Sequence, residues 1–183
     1  MKRALAIAIL LMAIALGTWL AQPPLARLLA ERRAITNRQA NHLPEEALQA
    51  VLRDSNLTLL SIDLDHVAVP GGATFHRWPI YGETTVSDPN QRQQLADLLR
   101  QGLSRWSGRE AAACFSPRHA LRATTTGTGP RTFDFLICFE CGRLVYYPPD
   151  SESRSLIIRT KPGAFDDILT AANIPISPRS PRP

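Results

Sequence analysis

The spacing of apolar residues changes character several times along this chain, and each change predicts an element. From Ala4 to Ala21 the residues are almost continuously apolar, broken only by Gly17 and Thr18. Leu25, Leu28, Leu29 and Ile35 then recur among arginines, which predicts a short basic amphipathic helix or linker. Pro44-Glu45-Glu46 opens a helix whose apolar face is Ala47, Leu48, Val51 and Leu52, ending near Ser55. Leu60, Ile62, Leu64 and His66 alternate with Ser61, Asp63 and Asp65, the period of two of a half-buried strand, and Pro70-Gly71-Gly72 stops it. A second extended segment runs from Phe75 to Val86, with Pro79 marking an edge or a bulge. Ser87-Asp88-Pro89 is a capping signal, and Leu95, Leu98, Leu99, Leu103 and Trp106 fall on one face of the helix that follows.

After Ala111 the pattern becomes β. Short strands are expected over 112–115, 119–125, 132–139 and 142–147, with turns at Ser116-Pro117, Gly127-Thr128-Gly129-Pro130 and Phe139-Glu140. Phe133, Phe135, Ile137 and Phe139 share one face, and Thr132, Asp134, Leu136 and Cys138 share the other. Leu156-Ile157-Ile158 predicts a last strand, and Phe165, Ile168, Leu169 and Ala172 a terminal helix. Residues 177–183 are too polar and proline-rich to pack. The fold class expected is α+β: a mostly antiparallel sheet packed on one face by two helices, with an N-terminal hydrophobic signal or anchor. The chain divides into a signal peptide or membrane anchor at 1–22, a basic juxtamembrane helix or linker at 23–43, a globular domain at 44–176 and a disordered tail at 177–183.

Composition changes the picture mainly through where the charge lies. The 183 residues and 44% apolar content suffice for one core. The net charge of +5 resides in residues 1–38, where six basic residues face Glu31 alone, while the remainder holds 15 basic and 15 acidic residues. A nucleic-acid module would carry its basic surface on the folded domain, so nucleic acid is excluded as a partner. Lys2-Arg3 before the apolar run has the form of an export signal, and no cysteine nearby offers a lipid-attachment site. The expected location is therefore the membrane or the periplasm, with the membrane as partner through the N-terminal segment. Arg27, Arg32, Arg33 and Arg38 after the run leave a cytoplasmic-facing anchor as the alternative.

All three cysteines lie between Cys114 and Cys141, the stretch richest in reactive groups. Cys138-Phe139-Glu140-Cys141-Gly142 falls between two strands, and that context separates three chemistries. A thioredoxin-like pair needs its first cysteine at a helix N-terminus, which is missing here. A zinc knuckle suits a strand-to-strand turn, with Cys114 and His119 as the remaining ligands and His66 or His76 as substitutes. A disulfide from Cys114 to Cys138 or Cys141, with one thiol left over, is the simplest outcome of an oxidising compartment, and three inert buried thiols are also allowed. Arg118, His119 and Arg122 add a possible anion site or an acid–base histidine near Asp134. The bland alternative has the arginines paired with Asp134 or Glu140 and His119 bonded to a turn carbonyl. Asp63, Asp65 and His66 read as a polar strand end, and Gly127-x-Gly129 opens no helix and so is no phosphate loop.

The motif pair Cys114-Phe-x-Pro-Arg-His119-x-Leu-Arg122 and Ile137-Cys-Phe-Glu-Cys141 resembles that of uncharacterised small exported bacterial proteins, over about residues 70–148. The resemblance brings no activity. It implies that Cys114, Arg118, His119, Arg122, Cys138 and Cys141 belong to one site, and this chain lacks the N-terminal cysteine of the lipid-anchored members. The function expected is that of a cell-envelope protein, a non-enzymatic binding or interaction domain whose cysteine cluster is structural. The alternative is a thiol-redox or histidine-dependent enzyme using Cys138, Cys141 and His119.

Overall fold

A computed structural model describes residues 41–53, 55–62, 72–104 and 115–177, together with Leu29. The chain divides into two units, Met1–Ala40 and Asn41–Pro183. The apolar run at 4–21, the basic segment after it, His66, Trp106 and Cys114 lie outside the described residues. Among the described residues no helix is long and apolar enough to cross a membrane.

The second unit is α+β. Its elements are α1 (Glu45–Leu52), β1 (Ser55–Ile62), β2 (Thr74–Phe75), β3 (Trp78–Thr85), α2 (Pro89–Ser104), β4 (His119–Thr125), β5 (Thr132–Cys138), β6 (Arg143–Tyr147), β7 (Arg154–Ile157) and α3 (Gly163–Ala171). The strands form one sheet in the order β2-β3-β1-β4-β5-β6-β7, and every pairing is antiparallel. The capping signal before α2 works as its chemistry dictates: Asp88 Oδ1 accepts the Asn90 amide at 2.8 Å, and Pro89 supplies the first helical residue.

Three helices, not the two expected, cover one face of the sheet. Ala47, Val51, Leu95, Leu99, Phe165 and Leu169 meet Leu57, Leu59, Leu121, Ala123, Phe133, Phe135 and Ile137 in a single core. Alternation puts Leu60, Ile62, Ala120 and Leu136 on the other face, where Phe75 joins them. β1 begins at Ser55, five residues before the expected start, and as a central strand it is buried on both faces from Leu59 to Ile62. The expected single segment from Phe75 to Val86 is instead a hairpin, with β2 joined to β3 through His76-Arg77. Phe115 lies outside any strand.

Both ends of the expected domain extend further than the hydrophobic pattern indicated. Asn41 presents its amide to the edge strand as a peptide group would: Oδ1 accepts the Ile157 amide at 2.6 Å, and Nδ2 donates to the carbonyls of Ile157 (2.9 Å) and Leu103 (3.0 Å). It thereby occupies part of an edge that would otherwise offer unpaired backbone groups. At the other end Ser177, assigned to the tail by composition, is buried, and its carbonyl accepts from Arg118.

Candidate functional site

Register decides which of the chemically interesting residues meet. In β4, His119 and Leu121 point to the helices, and Arg122 points to the open face. In β5, Asp134 sits directly across from Arg122, and Ile137 across from His119. His119 and Asp134 therefore lie on opposite faces of the sheet, which corrects the expectation that they adjoin. Arg118, His119, Cys138 and Cys141 gather at one end of the sheet, and Arg122 and Asp134 belong to a separate cluster.

The histidine, arginine and cysteines of the end cluster are buried, and their carboxylate partners Asp166 and Glu140 are part-exposed. His119 is fully buried between the rings of Phe139 and Phe165, with Nε2 2.7 Å from Asp166 Oδ1 in α3. Facing a carboxylate, Nε2 carries the proton, and the partner is a side chain rather than the expected turn carbonyl. Ser61 is the cross-strand neighbour of His119 and is equally buried, and neither its Oγ nor His119 Nδ1 has a hydrogen-bond partner. The hydroxyl and the imidazole are thus both buried on the helix-covered face, while the Asp166 carboxylate keeps 32% of its side-chain surface exposed. Arg118, 5% exposed, donates to Glu140 Oε1 at 2.5 Å and to the Ser177 carbonyl at 2.9 Å, tying β4, the β5–β6 turn and the C-terminal segment together.

Cys138 and Cys141 are joined to each other by a disulfide, S–S 2.08 Å, rather than either being joined to Cys114. Both are buried, and the Cys141 amide points at Cys138 Sγ from 3.2 Å. A zinc knuckle would need the same two sulfurs as thiolates, so the closed pair excludes them as ligands while the bond lasts. Among the described residues no three or more His, Cys, Asp or Glu side chains converge as a metal site. Gly142, φ +64°, ends the turn, and a Cβ there would lie 2.6 Å from Arg159 Nη1.

The second cluster lies on the open face, and its centre is the expected ion pair of Arg122 with Asp134. Arg122 Nε and Nη2 donate to the two oxygens of Asp134 at 2.9 and 2.8 Å, a bidentate pair whose carboxylate is 8% exposed. That hydrogen bonding is the main cause raising the guanidinium's proton affinity above its already high value. His76 Nε2 adds a third contact to Asp134 Oδ2 at 3.0 Å. His76 also stacks on Tyr147 of β6, centroids 3.7 Å apart, while Arg122 lies over the Phe75 ring at 4.8 Å. A loop at the β2–β3 edge reaches β6 with β1, β4 and β5 between them in the sheet, so the sheet curls strongly to bring them together. His76 is held there at φ 54°, a left-handed conformation uncommon for a residue with a side chain.

His76, Thr132, Asp134 and Tyr147 line an open cleft of about 470 Å³, bounded by Arg131 and the Pro148–Ser151 loop. Arg131 bridges Glu46 Oε2 (2.6 Å) and Asp150 Oδ2 (3.0 Å) at its rim. A second cleft, about 580 Å³, lies between α2, the 158–161 loop and the start of α3, and none of the site residues expected from sequence lines it. Sequence reading named His76 only as a substitute metal ligand and missed Tyr147, Ser61 and Asp166. The period of two in β1 carried a signal for Ser61, since it shares a face with Leu57 and Leu59. The chain matches no family model, no curated protein and no solved structure, so geometry alone carries the functional argument.

Proposed function

We propose that this chain is a non-enzymatic binding domain of the cell envelope, carried to the membrane or periplasm by its N-terminal apolar segment, with the open-face cleft around His76, Asp134 and Tyr147 as its ligand site. One observation carries this reading. His76 and Asp134 line a cleft and are fixed by hydrogen bonds to each other and, through Asp134, to Arg122, whereas His119 and the cysteines are enclosed. Pre-ordered polar groups in a partly apolar concavity are the usual form of a small-ligand site. The Cys138–Cys141 pair and the Arg118–Glu140 contact are read as structural.

The enzyme alternative rests on the hydroxyl–imidazole–carboxylate grouping of Ser61, His119 and Asp166 and on the cysteine pair. A nucleophile must reach its substrate, and the complete burial of Ser61 and His119 weighs against that reading.

A thermal-shift screen of small molecules on the full-length protein tests the proposal. Hits should lose their shift in His76→Asn and keep it in a Cys138→Ala/Cys141→Ala variant, even though that variant melts at lower temperature. Hits that behave the opposite way would move the site to the cysteine end and overturn the assignment.

A further inference from the structure

We propose that the open-face cleft takes a neutral saccharide, an inference that rests on the ligand-site reading above and narrows it to a chemical class. The balance of charge comes first. Asp134 is paired with Arg122, and Arg131 is shared between Glu46 and Asp150, so two guanidiniums face three carboxylates, all of them held in ion pairs. An anion entering the cleft meets the carboxylates of Asp134 and Asp150, and a cation meets the guanidiniums of Arg122 and Arg131. The excess carboxylate disfavours an anion, a cation finds the carboxylates already held by arginines, and a neutral ligand incurs neither cost.

The paired groups nevertheless keep hydrogen-bonding capacity. A carboxylate offers about four lone-pair positions, and Asp134 uses three. A guanidinium offers five N–H donors, and Arg131 directs two to its carboxylates. Thr132, whose hydroxyl also meets Thr124 Oγ1 at 3.1 Å, and Ser151 add hydroxyl-bearing residues to the lining. Donors and acceptors held in fixed directions suit a ligand that carries several hydroxyls, each able to donate and accept.

Apolar surface completes the match. The His76–Tyr147 stack is flat, His76 keeps 30% of its side-chain surface exposed, and Pro148 and Pro149 add a rigid wall beside it. A pyranose presents flat C–H faces to such rings and hydroxyls at its edge, a division of surface that amphipathic aromatic side chains serve well. The cleft volume of about 470 Å³ lies in the range that encloses small ligands.

The test is titration of the full-length protein, in detergent if its N-terminal segment requires it, with maltotriose, cellotriose and the trimer of N-acetylglucosamine, followed by saturation-transfer NMR and calorimetry. At least one should bind saturably at a Kd of about 1 mM or tighter, and Tyr147→Leu should weaken it by about tenfold or more. His76→Asn gives a second variant that accepts the left-handed backbone and so keeps the fold, and it should weaken binding comparably. Absence of saturable binding by all three sugars overturns the saccharide assignment, as does binding that both variants leave unchanged. Saturable binding of inorganic phosphate or trilysine that His76→Asn abolishes, without any sugar binding, would also overturn it while leaving the cleft as the ligand site.

Discussion

The disulfide offers the sharpest quantitative prediction, because its pairing fixes the size of the loop it closes. Cys138 and Cys141 are three positions apart, so their bond closes a loop of four residues. Loop-closure entropy for that size gives about 2 kcal/mol at 25 °C, against about 3.5 kcal/mol for the 25-residue loop that a Cys114–Cys138 bond would close. Urea unfolding of the full-length protein, oxidised and reduced, measures the difference directly. Oxidised wild type should exceed reduced wild type by about 2 kcal/mol. Cys138→Ala and Cys141→Ala should each become insensitive to reductant, and Cys114→Ala should retain the full gap. A Cys114→Ala protein that ignores reductant, or a wild-type gap near the larger value, would refute the Cys138–Cys141 pairing.

Asn41→Ala removes three hydrogen bonds to backbone groups at the β7 edge and should cost about 1–2 kcal/mol in urea unfolding, part being recovered by water. Gly142→Ala forces a side chain into a left-handed position against Arg159 and should destabilise by about 1–2 kcal/mol, with the melting temperature as readout. Tyr146 is 1% exposed and its hydroxyl has no partner, so Tyr146→Phe should be neutral or mildly stabilising in the same assay. Burial is also the main cause raising the titration of Tyr146 and Tyr147 above the ordinary tyrosine range. The folded state therefore holds those protons more tightly, and their contribution is intact below about pH 10 and is lost as pH rises through the folded values. Unfolding free energy followed from neutral to alkaline pH should fall there, and Tyr146→Phe should reduce the slope.

Local pattern made the antiparallel half of the fold legible. The alternation that predicted strands over 119–125 and 132–139 coincides with β4 and β5 to within a residue, and the Gly127–Gly129 turn places Arg122 opposite Asp134. The start of β1 was hidden because Ser55, Asn56 and Thr58 leave only Leu57 and Leu59 as apolar positions before Leu60, too few to separate a strand from the end of the preceding helix. The third covering helix was present in the pattern as a terminal helix; its position over the same face depends on tertiary packing. Site geometry was legible only where neighbours in sequence decide it. His76 reaches Asp134 across 58 residues and His119 reaches Asp166 across 47, and both contacts depend on sheet curvature and helix placement, which spacing does not encode.

One imidazole, His76, faces solvent in a cleft, and another, His119, is sealed beneath the helices. Diethyl pyrocarbonate modification of the full-length folded protein, mapped by peptide mass spectrometry over time, reads both at once. His76, with 30% of its side chain exposed, should be carbethoxylated early, and His119, with none, only once the protein is unfolded. Modification of His119 at the rate of His76 in the folded protein would contradict the account and return the functional site to the Arg118–His119–Cys138–Cys141 end of the sheet.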